Sequence, residues 1–167
     1  MKRNLQFFSV VLCCLMFFHC SNKNSQRDNT AVQPDSLKLY FIALEDSGRS
    51  GKLIGCNDSA VSVPVFVADS DNPVEAAFDT LLNVDTRMYR GTNLYNALYR
   101  SELYFSRIQN TQSVTKIFLA GEHRIGGVCD NPRVQSQLRL TALQFSSIDS
   151  VAFFINSIPL HEILSLR

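Results

Sequence analysis

The stretch GGVCDNPRVQSQLRLTALQF, Gly126–Phe145, holds more information than any other in this chain. Asp130-Asn131-Pro132 carries residue types that open helices, and the pattern beyond it predicts one. From Arg133 onward, Val134, Leu138, Thr141, Ala142 and Phe145 fall within one arc of a helical wheel, the face expected to pack on a sheet. Leu140 and Leu143 fall off that arc. Either neighbouring loops cover them, or with Arg133 and Arg139 they form a second contact surface for a partner protein. Cys129 stands just before the helix, where the helix dipole lowers a thiol pKa. Two readings of it compete: a thiolate nucleophile, or a structural corner that pins the helix to its neighbour. Gly126 and Gly127 are expected to give the backbone freedom to turn tightly into the helix.

Upstream, ELYFSRIQN and SVTKIFLAG read as a hairpin joined tightly at Asn110-Thr111. Downstream, DSVAFFINSIPLHEILSL reads as a strand, an Asn156-Ser157 turn and a short final strand. An earlier helix has Asn72 as N-cap, Pro73 at the first helical position and Glu75 completing a capping box. Its Val74, Phe78, Leu81 and Leu82 share one face. LKLYFIAL (Leu37–Leu44) and VSVPVFVAD (Val61–Asp69) are strand candidates, and Pro64 suggests an edge position for the second. A turn-rich loop holding Cys56 separates them, and Val84–Arg100 reads as irregular, with one short turn at Leu94–Tyr99. The order is β-β-α-β-β-α-β-β. That places the chain in the α/β class, as an α+β sandwich with two helices packed on a mixed β-sheet. Both helices open with Asp-Asn-Pro, an echo explained by shared helix-start chemistry.

The chain has 167 residues and is 46% hydrophobic, enough for one domain and short for two. With 16 basic and 15 acidic groups there is no electrostatic case for nucleic acid. In front of the domain, Lys2 and Arg3 precede a continuous apolar run, Phe7–Phe18. The run is too short to span a bilayer, which needs about 20 residues, and matches the core of an export signal. It ends at Cys20, and a polar stretch follows. Residues 1–19 are therefore expected to be a lipoprotein-type signal peptide, Cys20 the lipidated residue, 20–36 a disordered tether and 37–167 the domain. Bulky Phe17-Phe18-His19 stands where such signals usually have small residues.

Outside the signal only Cys56 and Cys129 remain, and an exported domain with two cysteines most simply pairs them. A hydrolase using Cys129 with His123 and Asn131 has no further support in the sequence. Cys56, Cys129, His123 and His161 lack zinc-site spacing, so no metal is expected. Gly126-Gly127 is not a phosphate-binding loop, and the scattered carboxylates read as solvated surface charge.

KLIGCNDSAVSVPV, LYNALY and GGVCDNPRVQSQLRLTALQFSSIDSVAFFINSIPL together resemble the GerMN domain of sporulation and germination proteins and of bacterial envelope lipoproteins. The resemblance covers about Leu37–Arg167. Its most specific part is the Cys-Asp-Asn-Pro-Arg helix start, with Gln137 and Gln144-Phe145 in the helix. It implies a small α/β sandwich that takes part in envelope assemblies, with the family's two cysteines falling at Cys56 and Cys129. The chain departs from the pattern in having one copy rather than two, and nothing in it indicates a spore former. The expectation is a non-catalytic interaction module, without cofactor, held to a membrane by its lipid and bound to another envelope protein. A small cysteine hydrolase and a periplasmic small-molecule binder are the alternatives.

Overall fold

Leu37, Leu39 and Phe41 are buried at alternate positions along Ser36–Ala43, and this period of two makes the segment the first strand, β1. The computed structural model describes residues 36–67 and 70–165. The expected signal segment 1–19, Cys20 and the tether 20–36, save Ser36, lie outside the described residues. β2 (Lys52–Leu53), β3 (Ser59–Phe66) and β4 (Leu94–Tyr95) join β1 in an antiparallel sheet of order β2-β3-β1-β4. A second sheet runs β5 (Glu102–Asn110), β6 (Thr115–Glu122), β7 (Val151–Ile155), β8 (Ile158–Pro159). Its β6–β7 pair is parallel, and the helix Asp130–Ala142, α2, is the crossover that such a pair requires. The earlier helix is α1 (Pro73–Leu82) and a short α3 (Leu160–Ser165) follows β8.

The α+β class stands, and the single mixed sheet expected from the sequence is two four-stranded sheets. The expected final strand shrinks to Ile158–Pro159 before the chain turns helical. Asn156-Ser157 does turn the chain, with both residues at positive φ (50° and 68°), as a tight hairpin needs. The β5–β6 connection is longer than expected: Asn110 pairs with Thr115, and Thr111 closes a four-residue turn onto Val114 through backbone and hydroxyl. Val84–Arg100 carries one short strand, β4, paired with β1 through Ile42 opposite Tyr95 and Ala43 opposite Leu94.

The two Asp-Asn-Pro tripeptides start their helices in different registers. In α1, Asn72 is the cap: its Oδ1 accepts from the Glu75 N–H at 3.2 Å, and its Nδ2 donates to the Glu75 carboxylate at 2.9 Å. In α2 the helix begins earlier. Asp130 and Asn131 donate their N–H groups to Gly127 and Val128, so the first turn is closed by backbone with no side-chain cap. Asn131 is thereby freed, and its Nδ2 donates to the Leu164 carbonyl in α3 at 2.8 Å.

The second edge of β1 explains why the sheets stay apart. Lys38 stands opposite Pro64 in β3, yet the Lys38 N–H and C=O are bonded on the other side, by Gln144. Pro64 therefore faces the open outer edge of β3, where its missing N–H costs nothing. Along the far edge of β1, the Gln144 amide serves Lys38 as a strand residue would, accepting at 2.7 Å and donating at 2.8 Å. Gln137 donates to the Tyr40 carbonyl at 3.0 Å, and β4 takes over at Ile42. Two glutamines of the α2 region thus cover an edge that no strand covers among the described residues.

Gln137 is fully buried, and it also accepts from the Ala97 N–H at 2.6 Å and donates to Asn96 Oδ1 at 3.2 Å. Gln137→Ala should strand several buried groups and cost about 2–4 kcal/mol. Gln144→Ala, where water can reach the edge, should cost less than about 1 kcal/mol. Urea unfolding at unchanged slope reads both, and equal losses would show that burial does not set the difference.

Candidate functional site

The start of α2 is where the sequence placed the chemistry, and three distant segments meet there. The loop after β2 brings Cys56 and Asp58, β4 brings Tyr95, and the helix itself brings Cys129, Asp130 and Arg133. Cys56 and Cys129 form a disulfide with Cα atoms 5.7 Å apart. Cys129 therefore offers no thiolate in this state, and the hydrolase alternative loses its nucleophile. Among the described residues no group of three or more His, Cys, Asp or Glu side chains is placed to hold a metal ion.

Beside the disulfide lies a charged cluster. Asp58 is fully buried: its Oδ1 accepts from the Glu45 N–H at 2.9 Å, and its Oδ2 accepts from Arg133 Nε at 2.6 Å. The same guanidinium reaches Asp130 at 3.0 Å through Nη1 and lies over the Tyr95 ring, 5.4 Å from its centroid. The Tyr95 hydroxyl donates towards both Asp130 oxygens at 3.2 Å. Burial, with the Asp130 charge adding to it, pushes the Tyr95 phenol up to about 12. Burial alone would lower the Arg133 pKa; hydrogen bonds to Asp58 and Asp130 outweigh it and raise that pKa. Each of the four side chains is thus bonded to another in the cluster.

The backbone is fitted to this packing. A Cβ on Gly126 would fall 2.1 Å from Asp130 Oδ2, so this glycine is required for space against a carboxylate. Gly127 has nothing within 4 Å and neither residue has positive φ, which corrects the expectation that both supply conformational freedom. A Cβ on Gly55 would press on the Pro132 ring at 2.9 Å, which shows how closely the Cys56 loop approaches the helix. Cys56 and Asn57 themselves sit at positive φ (62° and 61°), and the Ser47 N–H donates to the Asn57 carbonyl. Asp46 holds the same loop: hydrogen bonds from Ser59 and Ser50 keep its carboxyl at about 2.

The structure divides the four residues expected to form an interaction surface. Arg133 turns inward to Asp58 and Asp130. Arg139 is exposed, while Leu140 and Leu143 are half-buried against the core. The sequence reading missed Asp58, Tyr95 and Asn96, although all three stand in motifs that carry the family resemblance. No local pattern links them, because their partners are 35 to 75 residues away.

Two measurements test the corner. The disulfide closes a span of 73 positions, so Cys129→Ser should cost roughly 4 kcal/mol in the chain-entropy account. An unfolding midpoint unmoved by that change would show that the bond constrains little. The Tyr95 pKa is raised on folding, so its contribution is complete below the unfolded value of about 10 and is lost as pH climbs towards about 12. The loss should be on the order of 2 kcal/mol and absent in Tyr95→Phe. Spectrophotometric titration should find one of the five tyrosines ionising last.

No protein-family model matches the chain, and no curated protein matches it. Among solved structures it is similar to the tandem GerMN domains of the sporulation protein GerM from Bacillus subtilis, at 12% identity and a TM-score of 0.52. The match takes in 74% of this chain and 39% of that one, so the chain spans about two fifths of the solved protein's length. At that identity the likeness concerns the fold, and the fold is GerMN-like.

Proposed function

We propose that this protein is an exported, lipid-anchored, non-catalytic interaction module of the bacterial cell envelope. One observation carries the reading. The groups at the start of α2 that looked most able to do chemistry are consumed by one another, in the disulfide and the Asp58–Arg133–Asp130–Tyr95 cluster. What the helix leaves available is a contact face of Arg139, Leu140 and Leu143. The apolar run ending at Cys20 supports the anchor, and the partner is another envelope protein. The GerMN-like fold agrees with an assembly role, and sporulation is no part of the proposal.

Photo-reactive residues placed at positions 140 and 143 in cells should give a discrete cross-linked adduct that a probe at Ser106 on β5 does not. The adduct formed from position 143 should vanish with Leu140→Asp while unfolding stays cooperative. Identical adducts from Ser106 would sink the assignment of the face. Mass spectrometry of the mature N-terminus should find a lipid on Cys20, and an unmodified start beyond that residue would remove the anchor.

A further inference from the structure

We infer that β7 and α2 form a docking groove for an extended peptide segment that carries a carboxylate side chain. The inference deepens the interaction-module reading and rests on it, but it concerns a different surface, sharing only Arg139 with the α2 face.

The argument begins with which way the β7 backbone points. The Ser150 carbonyl accepts from the Thr115 N–H at 2.8 Å, and the Asn156 N–H donates to the Leu119 carbonyl at 3.0 Å. Residues of this parity in β7 therefore turn their hydrogen-bonding groups to β6. Val151 and Phe153 turn theirs to the opposite edge. There β8 pairs only with Phe154 and Ile155. It stops because the chain turns into α3 at Leu160. Among the described residues no strand pairs with Val151 on that side of β7.

A groove of about 260 Å³ lies along this open edge, floored by Val151–Phe154 and bounded by Pro159 and His161. Its other wall is α2, through Gln135 and Arg139, which are exposed and one helical turn apart. Arg139 forms no ion pair among the described residues, and no carboxylate lines the groove. An edge with free backbone groups recognises another extended backbone, by strand addition. An unpaired guanidinium across from it recognises a carboxylate. Together they specify a short extended segment with an aspartate or glutamate facing α2.

The test uses the full-length protein, 15N-labelled, and two blocked hexapeptides of alternating valine and threonine. One has a central glutamate, the other a lysine in its place. The glutamate peptide should shift the Val151 and Phe153 amide resonances and bind roughly fivefold more tightly than the lysine peptide, the scale of an exposed charge pair. Arg139→Glu, on an exposed helix position, should invert that order. Absent shifts at the two amides, or the same order in both proteins, would overturn the proposal. So would shifts that grow with protein concentration without peptide, which would make the occupant a second copy. Leu140→Asp separates this groove from the α2 face: it should leave the peptide titration unchanged, and a loss of it there would overturn a distinct groove.

Discussion

The far edge of β1 imposes the constraint on which the rest of the structure depends. Backbone groups at Lys38 and Tyr40 turn away from β3, and the buried part of that edge has to find partners within the protein. A further strand would satisfy them, but it would also extend the sheet and displace the helix. Instead Gln144, just beyond α2, bonds both backbone groups of Lys38, and Gln137 within α2 bonds the Tyr40 carbonyl. Because Gln137 also binds Ala97 and Asn96, one buried amide ties β1, the β4 region and α2 together. The helix can then serve as crossover for the second sheet while sealing the first.

A helix positioned along its length by amides still needs its start defined, and the corner does this in two physically different ways. The disulfide acts mainly on the unfolded chain, by removing loop-closure freedom. The Asp58–Arg133 pair acts in the folded state, where a buried carboxylate has to be met by its partner in good geometry. Its second acid, Asp130, shares the guanidinium and takes a further hydrogen bond from Tyr95. Each of these four side chains is thus bonded to another group of the corner. Together with the disulfide they fix the start of α2 relative to the Cys56 loop and β4.

Some of this was legible early. The α1 cap, the Asn156-Ser157 turn and the buried stripe Val134–Leu138–Thr141–Ala142 all follow from local rules, because the residues that interact are within a turn or two of one another. Gln137 was visible only as part of a resemblance; on the helical wheel it is a polar residue outside the apolar arc, and nothing local says that it is fully buried. The repeated Asp-Asn-Pro misleads for a related reason. Identical tripeptides take different registers because Asn72 caps its own helix, whereas Asn131 bonds to α3.

From the sequence alone came the α+β class, the two principal helices, the strand candidates and the two cysteines available to pair. These depend on periodicity, turn chemistry and composition, which are properties of neighbours along the chain. Only the tertiary structure decided that there are two sheets, that Arg133 faces inward, that Gly126 is needed for room against Asp130, and that β7 keeps an open edge. Each of those depends on groups brought together across long separations, where burial and unsatisfied hydrogen-bonding capacity, rather than local preference, determine which partner a side chain takes.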